Sequence, residues 1–88
     1  MKLKCDFEMV EMDNEVIAVP VGDGASQVKG VIKMNKSGQE IFEMLKNDTT
    51  EEKIVAVLSN RYEDEIQRIS DYVHEVVYAM HKADLIVN

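Results

Sequence analysis

The chain has 88 residues, 45% of them hydrophobic and 31% charged, which suits one small domain with a thin core and leaves no material for a second. Its formal net charge of −7 opposes any role that depends on attracting phosphate backbones or anionic lipid, and favours a neutral-to-basic partner. A single cysteine, Cys5, excludes an intrachain disulfide, and the longest apolar run is far short of the roughly 20 residues a membrane helix needs.

Nothing near Met1 combines a basic segment, a long apolar run and a cleavage site, so a cytoplasmic location is expected, with no membrane partner. Asn35-Lys-Ser and Asn47-Asp-Thr match the glycosylation pattern, which without a secretion signal reads as coincidence. The six methionines are spread through different elements and read as adaptable core filling.

In chain order, residues 7–12 and 15–21 are rich in β-formers and are separated by Asp13-Asn14, which predicts a hairpin with a two-residue turn. Pro20 cannot donate to a ladder, so the second strand is expected to end there or to run along an edge. Residues 21–29 carry Gly22, Asp23, Gly24, Ser26 and Gln27 without an apolar period, the composition of a loop. A third strand is expected over residues 30–34.

Asn35 is placed to cap a first helix, whose apolar stripe is Ile41, Phe42 and Leu45 with Met44 beside it. Thr49-Thr-Glu-Glu52 fits a capping box with Thr49 as the cap and Glu52 reaching back, followed by a second helix through Ile54, Val55, Val57 and Leu58. Arg61-Tyr-Glu-Asp64 breaks the pattern, and Asp64 with Glu65 favours the start of a third helix. Ile66, Ile69, Val73, Val76, Val77 and Met80 recur at three- and four-residue steps and share one arc of that helix. Tyr72, Ala79 and Ala83 fall on a flank of the arc next to Val76, while Gln67, Asp71 and Tyr78 point away. A flank mixing an aromatic with small residues can line a groove or cover the core edge. Leu85-Ile-Val87 is a short apolar tail.

This order leaves the strand before Asn35 with few partners, and an under-paired strand beside a helix is a place where another peptide can add itself. Binding is therefore expected before catalysis. His74 and His81 are seven positions apart on one helix, about 10 Å along its axis and too far to share a metal ion. Cys5 has no local signature of a nucleophile, the glycines do not form a phosphate loop, and Glu51-Glu52 and Asp64-Glu65 read as helix-opening surface groups. No catalytic residue, metal ligand or cofactor is expected.

The strand Val31 to Met34, the run Asn35-x-Ser-Gly-x-x-Ile-Phe42, Leu45, Thr50-x-x-x-Ile54, the segment Leu58 to Tyr62, Asp71 and Leu85 together resemble the D protein of pyrroloquinoline quinone biosynthesis (PqqD) and its relatives. These are recognition elements that bind leader peptides of ribosomally made, modified peptides. The chain departs from the family's usual pattern with Lys36 where an acidic residue is common, Phe42 where Trp is frequent, and a glycine-containing loop before the third strand.

The resemblance implies an α+β, winged-helix-like domain spanning residues 1–88, a three-stranded antiparallel sheet followed by three helices. Its third strand would accept a leader peptide as an added antiparallel strand, with the third helix closing the groove. By position this assigns backbone contacts to Val31, Ile32, Lys33 and Met34, and side-chain contacts to Tyr72 and Val76. A radical SAM maturase is the implied second partner, and the open edge can also take a second copy of the chain as a homodimer. The competing reading is a winged-helix DNA-binding regulator, which the charge opposes: Asp64, Glu65, Asp71 and Glu75 face Arg68 alone in the first half of the third helix.

Overall fold

The computed structural model describes residues 1–28 and 30–87. Two long strands, β2 (Asp6–Met12) and β3 (Glu15–Val21), form the expected hairpin, paired from Asp6↔Val21 to Met12↔Glu15. Asp13, the first turn residue, takes a φ of 56°, the left-handed conformation that primed two-residue turns require. Their third partner is β4 (Ile32–Met34), antiparallel to β3 in the register Val16↔Met34, Ile17↔Lys33 and Ala18↔Ile32. The sheet order is therefore β2-β3-β4. Because β4 stops opposite Ala18, the last part of β3 pairs with β2 only among the described residues, and Pro20 sits in that edge-like part.

A short 3₁₀ turn at Ala25–Gln27 occupies the glycine-containing loop, and Val28 from it is buried. Lys29, which the sequence places at the end of this loop, lies outside the described residues. Three helices follow β4: α1 (Lys36–Met44), α2 (Glu51–Arg61) and α3 (Ile66–Lys82). The α+β architecture expected from the sequence is the observed one.

Two features depart from the sequence reading. The cap of α2 is Thr50, whose hydroxyl accepts from the Lys53 N–H at 3.2 Å, so the expected box of Thr49 and Glu52 gives way to a lone cap one residue later. Thr49 is committed elsewhere: its N–H donates to the Met1 carbonyl and its carbonyl accepts from the Met1 amino group, both at 2.9 Å. Second, the terminal segments pair. Two residues at each end, β1 (Lys2–Leu3) and β5 (Ile86–Val87), form a separate antiparallel ribbon, so the apolar tail is a strand. Leu3 and Ile86 are buried by it.

The core lies between the inner sheet face and the helices. Phe7 and Ala18 meet Ile41, Phe42 and Leu45 of the α1 region, Ile54 and Leu58 of α2, and Ile69, Val73, Val77 and Met80 of α3, and Val16 is buried on the same sheet face. Phe7 and Phe42 pack edge to face with centroids 4.9 Å apart, a favourable aromatic geometry. The predicted α3 arc is thus mostly interior, except that Val76 is half-buried and Ile66, at the helix start, is 66% exposed. Among the methionines, Met80 is buried and Met1, Met9, Met34 and Met44 pack against the core, whereas Met12 at the hairpin end is exposed.

α3 ends in a Schellman arrangement, with Asp84 at φ 61° and the N–H groups of Asp84 and Leu85 bonded to the carbonyls of His81 and Met80. Lys4 binds this corner twice, through an ion pair with Asp84 at 2.6 Å and its N–H on the Leu85 carbonyl. This fixes the end of α3 against the N-terminal segment.

Candidate functional site

β4 pairs with β3 on one side, and no strand pairs with its other side among the described residues. Its side chains alternate: Ile32 and Met34 are half-buried and face inward, and Lys33 is exposed. Beside this free edge, a groove of about 320 Å³ opens between β4 and α3. Ile32 and Met34 line one side, while Tyr72, Val76, Ala79 and Ala83 line the other. Of the six residues singled out from the sequence, Ile32, Lys33, Met34, Tyr72 and Val76 are brought together here. Val31 does not line the groove; it stands just before β4 and is 55% exposed.

The junction of β4 with α1 holds this arrangement. Asn35 takes an extended conformation, and its side-chain oxygen accepts from the Gly38 N–H at 2.8 Å. Gly38 is buried under that oxygen, and a Cβ placed there would meet Asn35 Oδ1 and Met34 Cβ at 3.3 Å each, which explains a glycine mid-turn. Tyr72 donates its hydroxyl to the same Asn35 oxygen at 3.2 Å. One amide oxygen thus starts α1, ends β4 and ties α3 to both.

The polar groups around the groove are occupied structurally. Asn35 caps, Tyr72 bonds to Asn35, and Lys33 is the one charged side chain among the described lining residues. Elsewhere, burial and the neighbouring Asp6 push the Cys5 thiol up, which keeps it protonated and poorly nucleophilic. His74 places Nδ1 3.0 Å from a Glu51 carboxylate oxygen on α2, and no group of His, Cys, Asp and Glu among the described residues has the geometry to hold a metal ion. No described helix is long and apolar enough to cross a membrane.

A second depression of about 330 Å³, which the sequence reading missed, lies at the start of α3 between Ser37, Glu40, Tyr62, Arg68 and Tyr72. Tyr62 donates to both oxygens of Glu40 at 2.8 and 2.7 Å, and this bond together with desolvation raises the Tyr62 pKa above its ordinary value. It depends on a contact between the end of α2 and α1 that leaves no periodic signal. It borders no free strand edge, so it offers no backbone pairing.

The family described as coenzyme PQQ synthesis protein D (PqqD) matches residues 8–86. The chain belongs to the PqqD family. Among solved structures it is similar to one described as "TbiB1 in Complex with the TbiA(beta) Leader Peptide", with a TM-score of 0.70 and 18% identity over 97% of this chain and 93% of that one. At that identity the likeness concerns the fold. Comparison with curated proteins finds no match. For a PqqD-family chain, the residues matching the motif, Asn35, Ser37, Gly38, Ile41 and Phe42, prove to be framework: cap, turn and core behind the open strand.

Proposed function

We propose that residues 1–88 form a single non-catalytic recognition domain for the leader segment of a ribosomally made precursor peptide, acting in the cytoplasm and presenting the peptide to a radical SAM maturase. The observation that carries this reading is the free edge of β4 running along an apolar groove closed on its far side by α3. Membership of the PqqD family supports it, as does a similar fold in a protein solved with a leader peptide.

The leader adds to β4 as an antiparallel strand, with backbone pairing to residues 31–34 and alternate side chains directed between Ile32, Met34, Tyr72 and Val76. Backbone groups alternate sides along a strand, so this short edge offers two or three hydrogen bonds, contributing about 2–3 kcal/mol together. A micromolar complex needs about −8 kcal/mol after an association cost of roughly 4 kcal/mol or more. The difference requires on the order of 400 Å² of apolar burial at about 25 cal/mol per Å². The wall from Tyr72 to Ala83 is about 16 Å long, or about five extended residues, of which two or three face inward. Two or three large apolar side chains supply that area. Pairing sets the register and the groove selects the side chains.

Antiparallel addition also fixes direction. The N-terminal end of the paired segment lies by Asn35 and Tyr72, and its C-terminal end, leading to the part to be modified, leaves past Ile32 and Val31.

Titration of the isotope-labelled chain with synthetic leader segments, followed by amide shifts, tests this reading. Shifts concentrated in residues 30–34 and along the Tyr72–Ala83 flank are expected. Absence of shifts there with every leader tried overturns it.

A further inference from the structure

Tyr72 is a wall of the groove along β4 and also of the second depression, so the two cavities meet at this one side chain. The exposed bond from Tyr72 to Asn35 is the sill between them. Leu58 and Ile69, both buried, form the floor of the second depression, and Tyr62 is its other aromatic wall. Around them stand the carboxylates of Glu40, Glu63 and Asp64, against the guanidinium of Arg68. None of these four charges forms an ion pair among the described residues. Glu40 is held in place by Tyr62, whose hydroxyl lies 2.8 and 2.7 Å from its two oxygens, and a carboxylate with one donor keeps lone pairs for others. The result is a cavity of about 330 Å³ with an apolar floor and an oriented carboxylate that no described cation neutralises.

Resting on the function proposed above, we propose that this depression receives a lysine or arginine side chain of the leader, from a residue about two positions before the segment paired with β4. Continuity and direction name the occupant. Antiparallel pairing puts the N-terminal end of the paired segment by Asn35 and Tyr72, so the peptide upstream of it crosses the sill toward the start of α3. From Tyr72 back to Arg68 is one turn of helix, about 6 Å, which about two extended residues span. Side chains of a strand return to the same side every second residue, so the residue two before the one packed on Tyr72 points into the depression. Charge names its chemistry. A lysine or arginine lays its aliphatic stem on Leu58 and Ile69 and brings its cation to Glu40, Glu63 and the tyrosine faces, which matches both the floor and the rim. An acidic residue there meets like charge, and an apolar one fills the floor but leaves the carboxylates without a cation. Strand pairing and the apolar groove set register and bulk, and the depression adds a requirement for positive charge outside the paired segment.

The experiment uses the full chain and synthetic peptides built on a leader segment that shifts residues 30–34, carrying Arg, Gln, Glu or Tyr in turn at each position just before the paired segment. Calorimetry measures affinity for wild type, Glu63→Gln and the double variant Glu40→Gln/Glu63→Gln. A glutamine at position 40 can still accept from Tyr62, and position 63 is exposed, so neither change removes a structural contact. At the position two before the pair, Arg is expected to bind wild type about fivefold tighter than Gln, with Glu weaker again. In the double variant that preference is expected to fall below about twofold, with Glu63→Gln in between. Added salt is expected to shrink it. Equal affinity for the Arg, Gln and Glu peptides overturns the proposal, as does tightest binding by the Tyr peptide or a preference for Arg that survives in the double variant. Those results leave the shifts at residues 30–34, and with them the groove reading, standing. Shifts absent from 30–34 with every leader tried refute the groove reading and this one with it.

Discussion

Replacing Asn35 with alanine tests the junction on which the groove depends. The side-chain oxygen accepts two bonds, from the Gly38 N–H at 2.8 Å and from the Tyr72 hydroxyl at 3.2 Å. Loss of an N-cap costs about 1 kcal/mol, with a range near 0.5–2. The upper part applies here, because Gly38 is buried and its N–H is left without its partner. Tyr72 is half-buried and its hydroxyl can turn to water, so that bond adds about 0.5 kcal/mol. The expected total is about 2 kcal/mol, a shift of about 1–2 M in the urea midpoint for a chain of this size. Tyr72→Phe alone should cost about 0.5 kcal/mol, and almost nothing in the Asn35→Ala background, since the bond is already gone. Asn35→Asp should keep the cap, because a carboxylate accepts the same bond and suits a helix N-terminus. Urea unfolding followed by circular dichroism measures the four variants against wild type. A loss under about 0.3 kcal/mol for Asn35→Ala refutes the capping argument, and strict additivity in the cycle refutes the bridge to α3.

Two further outcomes follow from the same geometry. Ala79→Trp places an indole into the groove from an exposed position, so leader binding should fall about tenfold or more with the unfolding midpoint unchanged; unaltered affinity would move the peptide elsewhere. Asp48 accepts from the Met1 amino group at 2.7 Å, and that bond and charge hold its carboxyl below the ordinary value. Its contribution is present above the ordinary aspartate pKa of about 3.9 and is lost as pH falls through the depressed folded value. Wild type should therefore exceed Asp48→Asn in stability at neutral pH, with the gap closing in acid. A gap that persists in strong acid, read from thermal melts across pH, would count against the ion pair.

Much of the fold is local and was legible for that reason. The hairpin announces itself through alternation around Asp13-Asn14, α1 through Asn35 and the stripe behind it, and α3 through six apolar residues at helical spacing. The groove residues could be nominated because a strand and a helix flank each expose a periodic face. The misreadings have one physical cause. By sequence Thr49 is the favoured cap, because Glu52 stands three residues on, yet Thr49 is held by Met1 from the far end of the chain and Thr50 caps instead. β1 and β5 are two residues each, too short for a period, and exist because the two ends of the chain meet.

By itself, then, the sequence determined the order of elements, the cap that separates β4 from α1, and the acidic character that turns the molecule away from phosphate. Those depend on neighbours a few positions apart. Tertiary structure alone decided which side of β4 stays open among the described residues, and that Tyr72 reaches an amide 37 positions away. Each is a contact, or a missing contact, between segments distant in sequence. Such contacts are set by how the elements pack, and no local pattern records them.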